Sequence, residues 1–207
     1  MARRIYDMQR RTRAVEAARG KALAAACELL ADPSCREFSV DAVARAAGVT
    51  RATLYNQFGS RAALLLSIFG ELGRRMKAER IYTAMRLAEP EQALDATLRE
   101  STRAYARQQE PIRKVFALAA LDQELRVEVQ RSERQRRRSL SHLALRLVEA
   151  GHTRSAVGAA AELLAALTSF QAFEALSFDV GPRLTERRLA QLVRAGLGWS
   201  KGKGRVG

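Results

Sequence analysis

Apolar residues recur at three- and four-residue intervals along most of this chain, as a succession of long helical patterns. This periodicity is that of an amphipathic helix, whereas strict alternation would indicate a strand. Pro90 and Pro111 stand at first-turn positions of two expected helices. The first helix runs from about Glu91 to Gln108, and the second is shorter. A longer helix is expected from about Asp122 to Ala150. The pattern therefore predicts an all-α protein.

The most specific pattern is the stretch SVDAVARAAGVTRATLYNQFGSR in the first third of the chain. Apolar residues at helical spacing follow Ser39, whose hydroxyl can accept a hydrogen bond as an N-cap. Gly48 is expected to end this helix, because glycine tolerates the left-handed backbone of a tight turn. Thr50 is the expected cap of the next helix, in which Leu54 and Phe58 lie one turn apart on one face. Two short helices joined in this way form a helix-turn-helix.

The second of these helices is expected to turn a polar, donor-rich face outward. The major groove of DNA admits one helix and displays the hydrogen-bonding edges of the bases, so such a face suits DNA reading. The outward residues are Arg51, Ala52, Thr53, Tyr55, Asn56 and Gln57.

The run D-A-V-A-R-A-A-G-V-T-R-A-T-L-Y-N-Q-F-G-S-R resembles the DNA-binding domain of the TetR family of transcriptional regulators. Its glycine, Leu-Tyr pair, Phe and following basic residue stand in the register of the family. Arg61 replaces the lysine of the family, and either cation can neutralise a phosphate. The resemblance implies an N-terminal three-helix helix-turn-helix DNA-binding domain over residues 14–61. A larger helical-bundle regulatory and dimerisation domain would follow over residues 62–199.

Some of these residues are expected to contact the DNA backbone and set the register of the protein on the duplex. The N–H groups of helix N-termini capped by Ser39 and Thr50 can meet phosphates. Tyr55 and Arg61 add a hydroxyl and a cation. Asp41 departs from the family pattern, because a carboxylate puts base contact by the first helix in doubt. We expect the carboxylate of Asp41 to interact with the positive end of the dipole of that helix instead.

Base reading is expected from other residues of the second helix. Arg51 suits the O6 and N7 atoms of guanine, and either Asn56 or Gln57 suits adenine. Ala52 and Thr53 can touch a thymine methyl group.

Residues 1–13 carry five arginines with little apolar periodicity and are predicted to form a basic N-terminal arm. Such an arm could follow the backbone or enter the minor groove of DNA, or it could be merely solvated. A support helix is then expected from about Ala14 to Ala31, with an apolar stripe that begins at Val15. The glycine-rich basic residues 200–207 are predicted to be a flexible tail.

Composition narrows the classes of partner. The chain has 207 residues and a formal net charge of +14, which favours a polyanionic partner, with a bias of composition toward arginine as the alternative source of the charge. The helix-turn-helix pattern, rather than the charge, points to double-stranded DNA. No apolar stretch reaches the roughly 18 residues of a membrane span, and no signal peptide is visible. We therefore expect a cytoplasmic protein without membrane contact. In a reducing cytosol Cys27 and Cys35 are expected to be packed or idle thiols, with a redox switch as the alternative.

The sequence shows no constellation typical of an enzyme. Catalysis would need convergent acids, a nucleophile with its base, or metal ligands. Glu149 and His152 have the spacing of a metal-binding pair, but no second pair repeats it, so neither a metal nor a cofactor is expected. The alternative to a sequence-specific regulator is an architectural or ligand-independent nucleic-acid-binding protein. Such a protein would show a steep salt dependence without a preferred site.

The family resemblance also implies that the C-terminal helices enclose an apolar pocket. A small-molecule ligand there would change the spacing of two DNA-reading heads and release a repressor from its operator. Four aromatic residues could line such a pocket or could be ordinary core. They are Tyr105, Phe116, Phe170 and Phe173.

The arginine-rich run RSERQRRRSLSH is interpreted as a solvated helix face with acidic partners rather than as a second nucleic-acid site.

The last two long helices indicate how two copies of the chain could pair. A helix from Ala159 to Leu176 is rich in apolar residues that leave it little polar surface, and a final helix is expected from about Leu184 to Leu197. The two helices could pack against the same pair of a second subunit or close a monomeric core. Because two heads can bind two half-sites of DNA, we expect a homodimer.

Overall fold

The computed structural model describes residues 2–35 and 38–200, and for residues 2–12 and 14 it describes the backbone alone. Within these ranges the regular elements are all helices, as the apolar periodicity predicts. None of these helices combines the length and apolarity needed to cross a membrane. The helices are α1 (Ala2–Ala31), α2 (Val40–Ala47), α3 (Arg51–Phe58), α4 (Arg61–Met76), α5 (Ala78–Met85), α6 (Pro90–Arg107), α7 (Gln109–Leu121), α8 (Gln123–Glu149), α9 (Val157–Leu167), α10 (Phe170–Ser177) and α11 (Pro182–Gly196).

The first helix starts earlier than predicted. α1 begins at Ala2, so the backbone of the predicted basic arm is helical where it is described. Residues 2–13 contain neither proline nor glycine, and arginine and glutamine are good helix formers, so a helix can form there without an apolar stripe. Val15, expected in the buried stripe, is 57% exposed, and among the α1 side chains that the structure describes the first buried one is Ala22. Apart from Ser200, the predicted tail lies outside the described residues.

Contacts divide the chain into two units. The first comprises Met1–Gly73 and Glu110–Glu128, and the second comprises Arg74–Gln109 and Val129–Gly207. The division therefore differs from the single boundary expected after Arg61, because the chain returns to the first unit in α7 and the start of α8.

Two contacts explain why residues 110–128 belong to the first unit. The Nζ atom of Lys114 on α7 donates to the main-chain oxygens of Leu29, at 3.4 Å, and Asp32, at the end of α1. Arg61, the first residue of α4, forms an ion pair with Asp122, just before α8. Both contacts join residues far apart in sequence, so local periodicity did not predict them.

The second unit has an extensive apolar core. Five of its helices, α5, α6, α8, α9 and α11, contribute side chains that are almost fully buried. Complete burial of one such leucine contributes roughly 1.5–3 kcal/mol to folding. The most deeply buried leucines are Leu94, Leu98, Leu140, Leu143, Leu147, Leu164 and Leu197.

The apolar helix predicted from Ala159 to Leu176 is two helices rather than one. α9 ends before Thr168, and the hydroxyl of Ser169 caps α10 by accepting a hydrogen bond from the N–H of Ala172 at 3.1 Å. A serine at this position satisfies one of the N–H groups that a helix start leaves unpaired. The apolar spacing continues through the break, which is why periodicity alone did not reveal it.

Candidate nucleic-acid interface

The helix-turn-helix begins as its sequence predicts. Ser39 caps α2, with its Oγ atom 3.2 Å from the N–H of Ala42. Gly48 ends α2 in the left-handed conformation at φ 66°, where a Cβ atom would be strained. The N–H of Val49 then donates back to the oxygen of Ala44 at 3.0 Å, which closes the turn.

α3 is oriented by one cap and two buried side chains. The Oγ1 atom of Thr50 accepts from the N–H of Thr53 at 3.1 Å, as expected of an N-cap. Leu54 and Phe58 are 1% and 7% exposed, so they fix one side of α3 against the rest of the unit. The opposite side of the helix is therefore left to solvent.

Arg51 is held on the exposed side of α3 by two partners. Its Nη1 atom lies 3.1 Å from a carboxylate oxygen of Asp41 on α2, and its Nη2 atom lies 3.2 Å from the hydroxyl of Tyr55. The guanidinium also lies over the Tyr55 ring, 5.5 Å from its centroid. The hydrogen bond to Tyr55 and the charge of Asp41 raise the pKa of Arg51. Asp41, in the first turn of α2, thus positions Arg51, and its carboxylate also interacts with the positive end of the α2 dipole.

The other predicted base-reading residues divide into exposed and inward-facing ones. Ala52 and Asn56 are exposed, and Thr53 is half-buried with its hydroxyl 2.9 Å from that of Thr50. Gln57 was expected to face outward, but its amide oxygen is buried and has no hydrogen-bond partner among the described residues. The reason is helical geometry, because Gln57 follows the buried Leu54 by three residues.

Arg61, the expected phosphate contact, already has a protein partner. Its guanidinium pairs with the carboxylate of Asp122, and the Arg61 side chain is 49% exposed. The N–H of Leu125 donates to the other carboxylate oxygen at 3.0 Å. This hydrogen bond, and then the bond from Arg61, hold the pKa of Asp122 below its ordinary value. Asp122 is a residue that the sequence analysis missed, since 61 residues separate it from Arg61.

Arg19 on α1 is a second residue that sequence analysis missed. It donates to the main-chain oxygen of Gln57 at 2.9 Å and to the hydroxyl of Ser67 on α4 at 3.0 Å. Its guanidinium lies over the ring of Phe58, 4.5 Å from the centroid. One side chain thereby ties α1 to the end of α3 and to α4.

Three of the four aromatic residues expected at a ligand pocket meet in the second unit. The ring centroid of Tyr105 lies 5.6 Å from that of Phe170 and 5.7 Å from that of Phe173. The Tyr105 hydroxyl donates to the main-chain oxygen of Thr168 at 3.2 Å, and burial raises the pKa of Tyr105 to about 12. The fourth residue, Phe116, lies on α7 within residues of the first unit and is 38% exposed.

Part of the arginine-rich run is buried rather than solvated, which corrects the sequence-based interpretation. The Arg136 side chain is only 12% exposed and forms two hydrogen bonds to the carboxylate of Glu133, at 2.7 and 2.8 Å. It also donates to the hydroxyl of Thr168 at 2.7 Å and to the oxygen of Ala165 at 2.8 Å. Burial opposes the charge, but the bonds to Glu133 and nearby charges leave the pKa of Arg136 raised. Arg137, which shares Glu133 at 3.1 Å, is 57% exposed as expected.

The other residues considered for metal binding or redox chemistry are His152, Glu149 and the two cysteines. The ring of His152 stacks on Trp199 with 4.7 Å between centroids. Cys27 is buried in α1, and neither it nor Cys35 takes part in a disulfide within the described residues. The same part of the chain contains no group of three side chains that could hold a metal ion, and Glu149 belongs to none.

Residues 22–68 match the family model described as "Bacterial regulatory proteins, tetR family". The matched range contains α2 and α3 with the neighbouring parts of α1 and α4. No curated protein matches the chain.

Solved structures extend the likeness to the whole fold. A transcriptional regulator from Rhodococcus sp. Rha1 aligns with a TM-score of 0.71 at 22% identity, covering 89% of this chain and 99% of that one. The TetR family regulator PfmR from Thermus thermophilus aligns with a TM-score of 0.65 at 22% identity, covering 89% and 96%. The fatty acid degradation regulator FadR from Bacillus halodurans gives 0.61 at 19% identity, covering 86% and 98%.

Proposed function

We propose that the chain is a DNA-binding transcriptional regulator of the tetR family and that it acts as a repressor on a two-fold symmetric operator. The observation that carries this proposal is the position of Arg51 on α3. Its hydrogen bonds to Asp41 and Tyr55 use one hydrogen on each of the two terminal nitrogens of the guanidinium fork, Nη1 and Nη2. The side chain of Arg51 is 57% exposed. The remaining hydrogens of the fork are therefore available for the O6 and N7 atoms of a guanine.

The other roles on this face form part of the same proposal. Arg51 reads guanine, and Asn56, which is exposed, is favoured over Gln57 as the adenine reader. Ala52 and Thr53 contact thymine methyl groups. The residues that position the backbone are Ser39, Thr50, Tyr55 and Arg61.

We propose that two copies pair through the last helices of the second unit. Leu189 and Val193 of α11 are buried within the chain, so they serve its own core. Leu184 and Leu192 on α11 are 37% and 44% exposed, and Phe178 after α10 is 78% exposed. A second subunit would cover these side chains and present a second α3 to the other half-site.

We propose that a small-molecule effector binds near Tyr105, Phe170 and Phe173. One turn before Tyr105 on α6, the hydroxyl oxygen of Thr102 is buried without a hydrogen-bond partner among the described residues. A buried polar group in that condition costs about 1–3 kcal/mol, which a polar atom of a ligand would offset. The effector releases DNA only to the extent that it binds the released conformation more tightly. FadR is named for fatty acid degradation, so fatty acids are the first compounds to test.

Selection of bound duplexes from a random pool tests the proposal, with the mass of the complex measured by light scattering. We expect an inverted repeat whose half-sites are spaced by about one helical turn or a multiple of it, bound by an even number of chains. Addition of the effector should release this duplex at physiological salt. Binding without sequence preference but with a steep salt dependence would instead identify an architectural nucleic-acid-binding protein.

A further inference from the structure

A basic cleft lies between the end of α5 and the middle of α8, within the second unit. It has a volume of about 610 Å³, and both apolar and polar side chains contribute to its walls. We call it the α5–α8 cleft. Its lining residues are Met85, Arg86, Ala88, Gln135, Arg138, Ser139, His142 and Arg146.

Two of the three positive charges that line the α5–α8 cleft have no protein partner within the described residues. Three of the lining residues are arginines, and none is an aspartate or glutamate. Arg86 and Arg138 are exposed, and within the described ranges neither side chain has an ion pair or hydrogen bond. Arg134 precedes Arg138 by one turn of α8, and like charges at this spacing repel. A bound anion would offset this repulsion by attracting the positive charges.

Arg146 gives the cleft a fixed wall. It donates to the main-chain oxygen of Met85 at 3.1 Å and to that of Ala88 at 2.7 Å, and also to that of Leu87. Met85 is the last residue of α5, and Leu87 and Ala88 follow in the connection to α6, so the guanidinium fastens this segment to α8 and keeps its positive charge beside the cleft. Preorganisation of this kind lowers the entropy cost of binding.

We propose that the α5–α8 cleft binds a small molecule that carries a diphosphate group. The planar forks of Arg86 and Arg138 match two phosphate groups, each by paired N–H donors. Gln135 and Ser139 add neutral hydrogen-bonding groups. The volume falls in the range of small-molecule pockets, which favours a compact ligand over the long backbone of a duplex. This site is independent of the face of α3 and of its proposed role on DNA.

Calorimetric titration with inorganic pyrophosphate, the probe, tests the proposal on the full chain. We expect Arg86→Gln and Arg138→Gln each to weaken binding about tenfold or more, as loss of a charge-assisted hydrogen bond predicts. Arg138→Lys keeps the charge without the fork and should fall between wild type and Arg138→Gln. Arg107→Gln, at an exposed arginine in the last turn of α6, is the matched control and should bind as wild type does.

Three results would overturn the proposal. The first is a wild-type protein that does not bind pyrophosphate. The second is an equal loss of pyrophosphate affinity in Arg107→Gln and Arg138→Gln, which would indicate general charge attraction. The third is displacement of pyrophosphate by a saturating random-sequence duplex, which would assign the cleft to nucleic acid. Unaltered circular dichroism melts of the variants would show that the losses come from the site.

Discussion

Two arginine–carboxylate pairs show how one kind of contact serves different ends in the two units. Arg51 of α3 and its partner Asp41 are 57% and 51% exposed, whereas the Arg136 side chain on α8 is 12% exposed and its partner Glu133 is 41% exposed. Each arginine is also close to a tyrosine or a threonine hydroxyl. Arg136 uses its donors within the protein, but Arg51 keeps part of its fork accessible. Exposure therefore separates an arginine that holds the fold from one that can recognise a partner.

The energetic consequences of the two pairs also differ. An exposed ion pair contributes little to stability because water screens it and two long side chains lose freedom. A pair that contains a buried arginine adds little net stability over apolar residues, yet removal of that arginine is costly because the groups bonded to it lose their donor. The comparison can thus be tested by single substitutions in each pair.

The largest expected effect is on stability in the second unit. Arg136→Ala should lower the free energy of unfolding by about 2–4 kcal/mol, since Thr168 and Ala165 lose the donor on Arg136 and Glu133 keeps only Arg137. Arg137→Ala is the matched control, because Arg137 shares Glu133 but is 57% exposed. It should cost less than about 0.5 kcal/mol. Urea denaturation checks both values, and equal losses would break the comparison.

The next effect is on DNA specificity in the first unit. Arg51→Ala should lower the preference for the selected operator over random duplex about tenfold or more, as loss of a bidentate guanine contact predicts. Its unfolding transition should stay close to that of wild type. Arg61→Ala should weaken both duplexes alike and make the salt dependence shallower. Fluorescence anisotropy at several salt concentrations measures these changes, and equal loss on both duplexes for both variants would refute the division of roles.

A smaller effect is expected where a protein carboxylate competes with DNA for an arginine. Asp122→Asn removes the charge opposite Arg61 but keeps an oxygen that can accept from Leu125 at the start of α8. Random-duplex affinity should therefore rise a few-fold, and the salt slope should steepen by up to about one phosphate contact. The gain should vanish in an Arg61→Ala background. A gain that persists there would show that Arg61 does not mediate it.

The smallest effect is a pH dependence from the same carboxylate. Because the pKa of Asp122 is lowered in the folded state, its contribution is complete above the ordinary value of 3.8 and is lost as pH falls through the lower folded value. Wild type should lose up to about 1 kcal/mol more than Asp122→Asn as pH falls below about 4. Urea unfolding at pH 6 and pH 3 measures the difference. Identical pH profiles would show that Asp122 does not titrate in this way.

The helix-turn-helix could be predicted because its signals lie close together in sequence. Ser39, Gly48 and Thr50 each control a turn through their own backbone or a partner a few residues away. Leu54 and Phe58 reveal the buried side of α3 by their spacing alone. The inward position of Gln57 follows from the same geometry, but its polar side chain favoured an outward assignment.

The rest of the candidate site depends on pairs without a local signal. Arg136 contacts Thr168 over 32 residues, and Arg61 contacts Asp122 over 61. A charge in a basic run gives no sign of whether a distant helix will cover it, so burial of Arg136 could not be read from composition. The early start of α1 and the break before Ser169 were missed for a different reason. Apolar periodicity was absent where a helix formed and continuous where one ended.

The most direct test of the central claim probes single atoms of the operator. In the selected duplex, each guanine is replaced in turn by 7-deazaguanine, which lacks the N7 acceptor, and affinity is measured for wild type and Arg51→Ala. We expect wild type to lose about tenfold at one guanine in each half-site and Arg51→Ala to lose nothing further there. If Arg51→Ala still shows the full loss at that guanine, or if no guanine matters to wild type, α3 does not read DNA through Arg51.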